Sequence, residues 1–236
     1  DELEASLVSD SNDPEGLLFR ADGKFRLLSP ELAWVRYSSL ITKSVVENFA
    51  DVIRYLLSDD DPTAGMSGNE RLTAQFFGKR PAFSGTLRRN VVHSLAIASS
   101  IGTTRLNLDP SMSPSFVDWI VRSTLEEASF GRWASFGGEL SILAEAAPEA
   151  LLDALERDLS ADGPLAEVME KSDTDIFSSP AHTGVIWALE RLCWSQKHLE
   201  RSSKLLLRLA RLNRDIKSGN NPISSIREKP QIHCPP

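Results

Sequence analysis

The chain has 236 residues, with 26 Lys and Arg against 33 Asp and Glu, for a net charge of −7 at neutral pH. That length supports a full hydrophobic core, and 41% hydrophobic with 25% charged residues is the composition of a globular chain, which excludes a disordered one. A pI near 5.2 argues against a nucleic-acid binder that is basic throughout, while leaving room for a local basic patch.

Cys193 and Cys234 are the cysteines, too sparse for a disulfide framework. They point to a reducing cytosol and a cytoplasmic location. No apolar run reaches the roughly 20 residues of a membrane helix. The acidic opening DELEASLVSD has neither the basic-then-apolar plan of a signal peptide nor an initiator Met, so the sequence reads as a piece of a longer protein.

In chain order, residues 1–16 are polar and acidic and read as a flexible end. LLFRADGKFRLL follows, with Asp22-Gly23 between two apolar runs. Two readings stand open there: a short β-hairpin, or an extended lead-in whose Phe19, Phe25, Leu27 and Leu28 pack on helices. Ser29-Pro30-Glu31 is a helix start, with an N-cap, a first-turn proline and an acid at the positive end. Thr42 is set to cap a second helix, whose Val45, Val46, Phe49, Val52, Ile53, Leu56 and Leu57 step by three and four. SDDDPTAGMSGN then reads as a solvated loop.

A short helix over Glu70 to Phe77 stops at Gly78, and a longer one runs from Ser84 to Gly102, carrying a half-buried His93. After a loop over 103–112, Ser113-Pro114 opens a helix through Leu125. ASFGRWASFGG reads as a loop, 139–147 and 149–159 as helices, Ser160 to Pro164 as a break and SDTDIFSSPAHTG as a longer one. The last helices are expected over 183–194 and 196–213.

These helices fall into pairs: 30–40 with 43–57, 139–147 with 149–159, and 183–194 with 196–213. No fixed period repeats residue by residue. The expected fold is therefore all-α, an irregular α-solenoid-like array of antiparallel helix pairs. Residues 17–218 form a single helical domain, and 219–236 a polar, Pro-rich tail.

SSPAHTGVIWALERLCW concentrates His182, Gly184, Cys193 and two tryptophans. On a helix, Val185, Ile186, Leu189, Leu192 and Cys193 share one face, and His182 or Thr183 supplies a cap. Cys193 is then a small buried hydrophobe rather than a nucleophile, with His198 beyond a helix break. Gly184 costs about 1 kcal/mol of helix propensity against Ala, a cost that makes sense where a neighbouring group comes close. Trp187 and Trp194 lie on an adjoining flank, placed to seat a neighbouring helix pair.

The stretch HTGVIWALERLCWSQKHLERSSKLLLRLARL, followed by NPISSIRE, resembles a region of large multidomain bacterial proteins of the predicted-NTPase, anti-phage defence type. GKFRLLSPELAWVRYSSLITKSVVENFADVIRYLLSDDDP resembles an earlier part of the same region, so the likeness spans residues 23–228. EKPQIHCPP departs from the hydrophobic continuation expected after SSIRE. The resemblance rests on helix-packing patterns. It implies a segment apart from the nucleotide-binding or effector domain, one that senses a partner or relays its binding.

No motif supplies chemistry. GxxxxGK[ST], the dinucleotide fingerprint, GxSxG and HExxH are all absent, and His93, His182, His198 and His233 stand singly. No cofactor or metal is expected. Asp59-Asp60-Asp61 lacks the calcium-loop spacing, and Glu126-Glu127 and Glu139 with Glu145 read as surface acids.

The clearest surface feature is basic. Lys197, Arg201, Lys204, Arg208 and Arg211 step by four, three, four and three, forming one ridge on a helix that Arg214 and Lys217 extend. These residues are the candidate partner contacts. The leading reading is a non-catalytic interaction, scaffold or sensor segment that binds a protein or other domains of a parent chain. A nucleic-acid-binding module using the ridge is the alternative, and an enzyme without a recognisable motif the third.

Overall fold

The computed structural model describes residues 8–9, 11–13, 15–38, 41–101, 116–161, 163–171, 181–212 and 221–233. Residues 1–7, the loop over 103–112, Ser113-Pro114, most of the expected break before His182, and Arg214, Lys217 and Cys234 lie outside them.

Of the two openings, the hairpin forms. β1 (Leu18–Ala21) pairs antiparallel with β2 (Lys24–Leu27), Leu18 opposite Leu27 and Ala21 opposite Lys24. Asp22 and Gly23 turn the chain at φ of 52° and 74°, the doubly positive geometry that suits the twist of a two-residue hairpin. The rest is helical. α1 (Pro30–Tyr37) starts where Ser29 Oγ accepts from the Leu32 amide at 3.1 Å. α2 (Lys43–Leu57) buries Val46, Ala50, Ile53 and Leu57 along one stripe. α3 (Gly68–Ala74) runs into a 3-10 turn over Gln75–Phe77, and α4 (Gly85–Ile101) follows.

The second half continues with α5 (Phe116–Leu125), α6 (Phe130–Phe136), a 3-10 turn over Gly137–Glu139, α7 (Leu140–Ala146) and α8 (Pro148–Ser160). α9 (Pro164–Lys171), α10 (Ala181–Leu192), α11 (Leu199–Leu212) and α12 (Pro222–His233) complete it. No helix among the described residues is long and apolar enough to cross a membrane.

The helices stack in two rows. α1 packs on α4, α4 on α7 and α7 on α10, while α2 packs on α5, α5 on α8 and α8 on α11. The rows meet at α4–α5, α7–α8 and α10–α11, and α6 packs on α9 beside them. The fold is thus an all-α, irregular solenoid-like array with one continuous core. Two of the expected pairs, α7–α8 and α10–α11, are present. The first is arranged differently: α1 leans on α4, and α2 on α5 and α4, because their apolar faces are covered by the next step of the stack.

Two segments expected to be irregular are helical, and so is 164–171, which follows the expected break at Ser160 to Pro164. In ASFGRWASFGG, Ser129 Oγ accepts from the Arg132 amide at 3.0 Å and starts α6 despite its glycine. Pro164 opens α9, whose Leu165 amide donates to Asp158 Oδ1 at 2.9 Å. In the tail, Asn221 Oδ1 accepts from the Ser224 amide at 2.9 Å and Pro222 occupies the first turn of α12, which packs on α11 and α10. His93 is exposed rather than half-buried, since the core face of α4 is made by Arg88, Val92, Leu95 and Ala98.

The acidic triplet is not a solvated loop; each carboxylate has separate partners. Asp59 Oδ2 accepts from the Ala82 amide at 2.9 Å and faces Arg88 at 3.6 Å. Asp60 takes Arg132 Nε at 3.0 Å and the Ser129 hydroxyl. Asp61 accepts from the Thr63 amide and hydroxyl at 2.8 and 2.7 Å. Arg88, only 4% exposed, donates to the Asp59 carbonyl at 2.8 Å and to Ser135 Oγ at 2.9 Å, and reaches Leu57 O at 3.5 Å. Burial pushes its guanidinium pKa down, against the pull of Asp59.

Gly184 marks a close backbone contact between α10 and the 3-10 turn. A Cβ there would lie 1.8 Å from the Gly137 carbonyl oxygen, so α10 crosses the 3-10 turn backbone to backbone. Gly184→Ala is expected to cost about 3 kcal/mol in urea unfolding, since the obstacle is main chain and has no rotamer to yield. Gly138→Ala, where a Cβ meets nothing within 4 Å, should stay within about 0.5 kcal/mol of wild type.

Candidate interaction surfaces

The basic ridge lies on and just before α11. Lys197, Lys204, Arg208 and Arg211 are exposed, whereas Arg201 is half-buried between α11 and α8. The opposing face of α8 carries Glu149, Asp153 and Glu156, acids spaced four and three apart. Arg201 engages all three: Nη1 donates to Glu149 at 2.7 Å, Nη2 to Asp153 at 2.6 Å, and Nε and Nη2 to Glu156 at 2.9 and 2.8 Å. Lys197 pairs with Glu149 at 2.8 Å and Lys204 with Glu200 at 2.6 Å. Arg208 points its amines at Leu159 O and Ser160 Oγ, at 3.4 Å, over the C-terminal end of α8. Arg211 makes no recorded ion pair among the described residues.

Asp153 also accepts from Arg122 of α5 at 2.5 Å. One carboxylate therefore joins three stacked helices, α5, α8 and α11. The hydrogen bonds that Arg201 donates to Glu156 and Asp153 hold its guanidinium firmly protonated. Glu149 is held below the usual carboxylate range, first by its hydrogen bond from Lys197. For Asp153, burial pulls upward, but the hydrogen bonds from Arg201 and Arg122 outweigh it and the net shift is downward. Burial pushes the nearby Asp118 carboxyl up, against the pull of Arg122. A phosphate backbone approaching this ridge meets Lys197, Arg201 and Lys204 already facing carboxylates, which weakens their attraction, while Arg208 and Arg211 face no carboxylate among the described residues.

The other candidates do not converge. Cys193 is buried in the core beside Leu189 and Leu192, as a small hydrophobe. His198 is buried with Nδ1 3.7 Å from Glu149. His182 and Thr183 lie inside α10 and are buried, so they fill the core rather than standing outside the helix start. Trp187 and Trp194 are 46% and 61% exposed. Glu139 takes Arg89 at 3.2 Å and Glu145 takes Arg191, two separate ion pairs rather than a matched acid and base.

A second surface stands on α3, where sequence periodicity gave no hint of exposure. The helix is capped at both ends. Glu70 Oε2 accepts from the Ser67 amide and hydroxyl, both at 2.8 Å, as in a capping box. At the other end Gly78 takes φ 72° and the Lys79 amide donates back to Ala74 O at 3.0 Å. Between these caps, Leu72, Phe76 and Phe77 are 72%, 80% and 78% exposed. Lys79 and Arg80 follow directly, also exposed. The adjacent phenylalanines were visible in the sequence; their outward direction depends on Ala74 being the buried residue of that turn.

Comparison with family models, with curated proteins and with solved structures returns no match to this chain.

Arg201→Gln is expected to cost about 2 kcal/mol at pH 7, between the limits for exposed and buried pairs. Glu149 and Asp153 sit below their ordinary pKa values, so their contribution is complete above about pH 5 and is lost as pH falls through the lowered values. In the variant they protonate earlier, which relieves their repulsion. The stability gap should hold from pH 7 to about 5 and shrink below about pH 4, read from urea unfolding of both proteins across that range.

Proposed function

We propose that this chain is a non-catalytic helical scaffold that docks a partner protein through the α3 knuckle. The observation that carries the reading is the set Leu72, Phe76 and Phe77, held in solvent by a helix capped at both ends. A buried Phe contributes on the order of 1.5–3 kcal/mol relative to an exposed one. Two left outside a fold that buries Phe116, Trp133 and Phe136 are a surface prepared for something else to cover. Local capping keeps the knuckle in shape before binding, which lowers the ordering cost of association.

Lys79 and Arg80 set the chemistry of the partner: an apolar pocket edged by carboxylates. The resemblance to the helical region of large bacterial defence proteins supports the same reading. In that setting the chain is a sensor or relay segment, working with a protein or with other domains of a parent chain in the cytosol.

A photo-crosslinking phenylalanine analogue placed at Phe77 should give a discrete protein adduct in living cells. Phe76→Ser in the same chain should abolish it while leaving unfolding stability within about 0.5 kcal/mol. The same analogue at Arg211 should give no discrete adduct. Nucleic-acid adducts at Arg211 with none at Phe77 would overturn the proposal in favour of the basic ridge.

A further inference from the structure

A separate groove opens between the end of β2 and helices α1, α2, α4 and α5, with a cavity of about 390 Å³. Its walls include Leu27, Trp34, Phe49, Ala98 and Phe116, and none of the described residues that line it is charged. Two of its lining residues carry polar atoms that are buried without a hydrogen-bond partner among the described residues: Trp34 Nε1 and Ser38 Oγ. Ser38 is 1% exposed. Its main chain is committed, the amide donating to Trp34 O and the carbonyl accepting from Ile41, so only the hydroxyl is left over.

A buried donor left unpaired keeps its desolvation cost with nothing to offset it. A concave, mostly apolar cavity of a few hundred Å³ with a small number of polar groups is the usual form of a small-molecule site. We infer that this groove binds a neutral, largely apolar molecule carrying a carbonyl, of the acyl ester or amide class. Indole Nε1–H only donates, so the ligand atom it meets is an acceptor. The Ser38 hydroxyl supplies a second donor. A carboxylate is disfavoured, because no cation among the described residues lines the groove to offset its desolvation. The apolar chain packs against Phe49 and Phe116. None of these residues belongs to the α3 knuckle, so the two proposals stand or fall separately.

The test uses Nile red, a neutral apolar dye with a ring carbonyl, as a fluorescent probe of the full chain. Saturable binding at one site is expected, with displacement by methyl octanoate and at least tenfold weaker displacement by octanoate. Ala33→Phe, which fills the groove, should abolish dye uptake. Trp34→Phe and Ser38→Ala should each weaken methyl octanoate several-fold, with thermal melts confirming that both variants fold. If Trp34→Phe does not fold, Ser38→Ala decides alone. Octanoate displacing as well as its ester would overturn the proposal. So would uptake that survives Ala33→Phe, or ester affinity unchanged in the folded variants. A groove covered by protein takes up neither dye nor ester, and that result also ends it.

Discussion

The N-terminal half of the array depends on one buried cation. Arg88 sits on the core face of α4 and reaches past the end of α2, where helix carbonyls lack intrahelical partners. Its guanidinium serves the Asp59 carbonyl and the Ser135 hydroxyl together, and lies over the Phe136 ring at 5.8 Å. Removing a charge from water is costly unless its donors are met. Here the planar fork spreads them over α2's exit and α6, a geometry that a lysine's single ammonium could not reproduce. The Asp59–Asp60–Asp61 segment is the counterpart. It neutralises Arg88, receives Arg132 and brings its own backbone against Gly131, whose carbonyl accepts from the Asp61 amide at 3.1 Å.

The C-terminal half solves the same problem by different means. Its rows are held by close backbone approach at Gly184 and Gly137, and by carboxylates that bridge successive helices. Asp153 is the clearest case, because Arg122 and Arg201 come to it from opposite neighbours in the α5–α8–α11 row. Such a bridge specifies register more than it adds stability, since every carboxylate in it gives up water to face a cation. The apolar contacts beneath it, among Leu151, Leu155, Leu205 and Leu209, supply the larger favourable term.

How much of this was legible follows from the kind of signal each part carries. The apolar steps of α10 are periodic, and Val185, Ile186, Leu189, Leu192 and Cys193 are all buried; on α2 the steps pick out Val46, Ile53, Leu56 and Leu57 correctly, but Val45, Phe49 and Val52 are exposed and Ala50 is buried in their place. Gly184 was legible as a helix glycine that needs a close neighbour, though nothing local names Gly137 as that neighbour. α6, α9 and α12 were missed because Gly131, Pro164 and Pro222 look like breakers when their caps are not weighed. The acidic triplet was missed for a deeper reason. A run of aspartates after a helix is normally solvated, and only tertiary folding brings Arg88 and Arg132 to it across many residues. The basic ridge was legible as a ridge, yet its charge balance was not. The complementary stripe Glu149, Asp153 and Glu156 was equally periodic and could have been read beside it.

That pairing of stripes bears on where an interaction surface can lie. Exposed like charges attract a partner only to the extent that the protein has not already neutralised them. For Lys197 and Arg201 the neutralising carboxylates lie on α8, so engaging an anion there means breaking contacts that hold two helices together. Apolar side chains work differently. Covering Leu72, Phe76 and Phe77 breaks no contact that these exposed side chains make with the core, because the buried Ala74 anchors that turn to the interior and both caps are satisfied locally. Under the proposed reading, recognition at this pre-shaped turn falls where binding costs the array least.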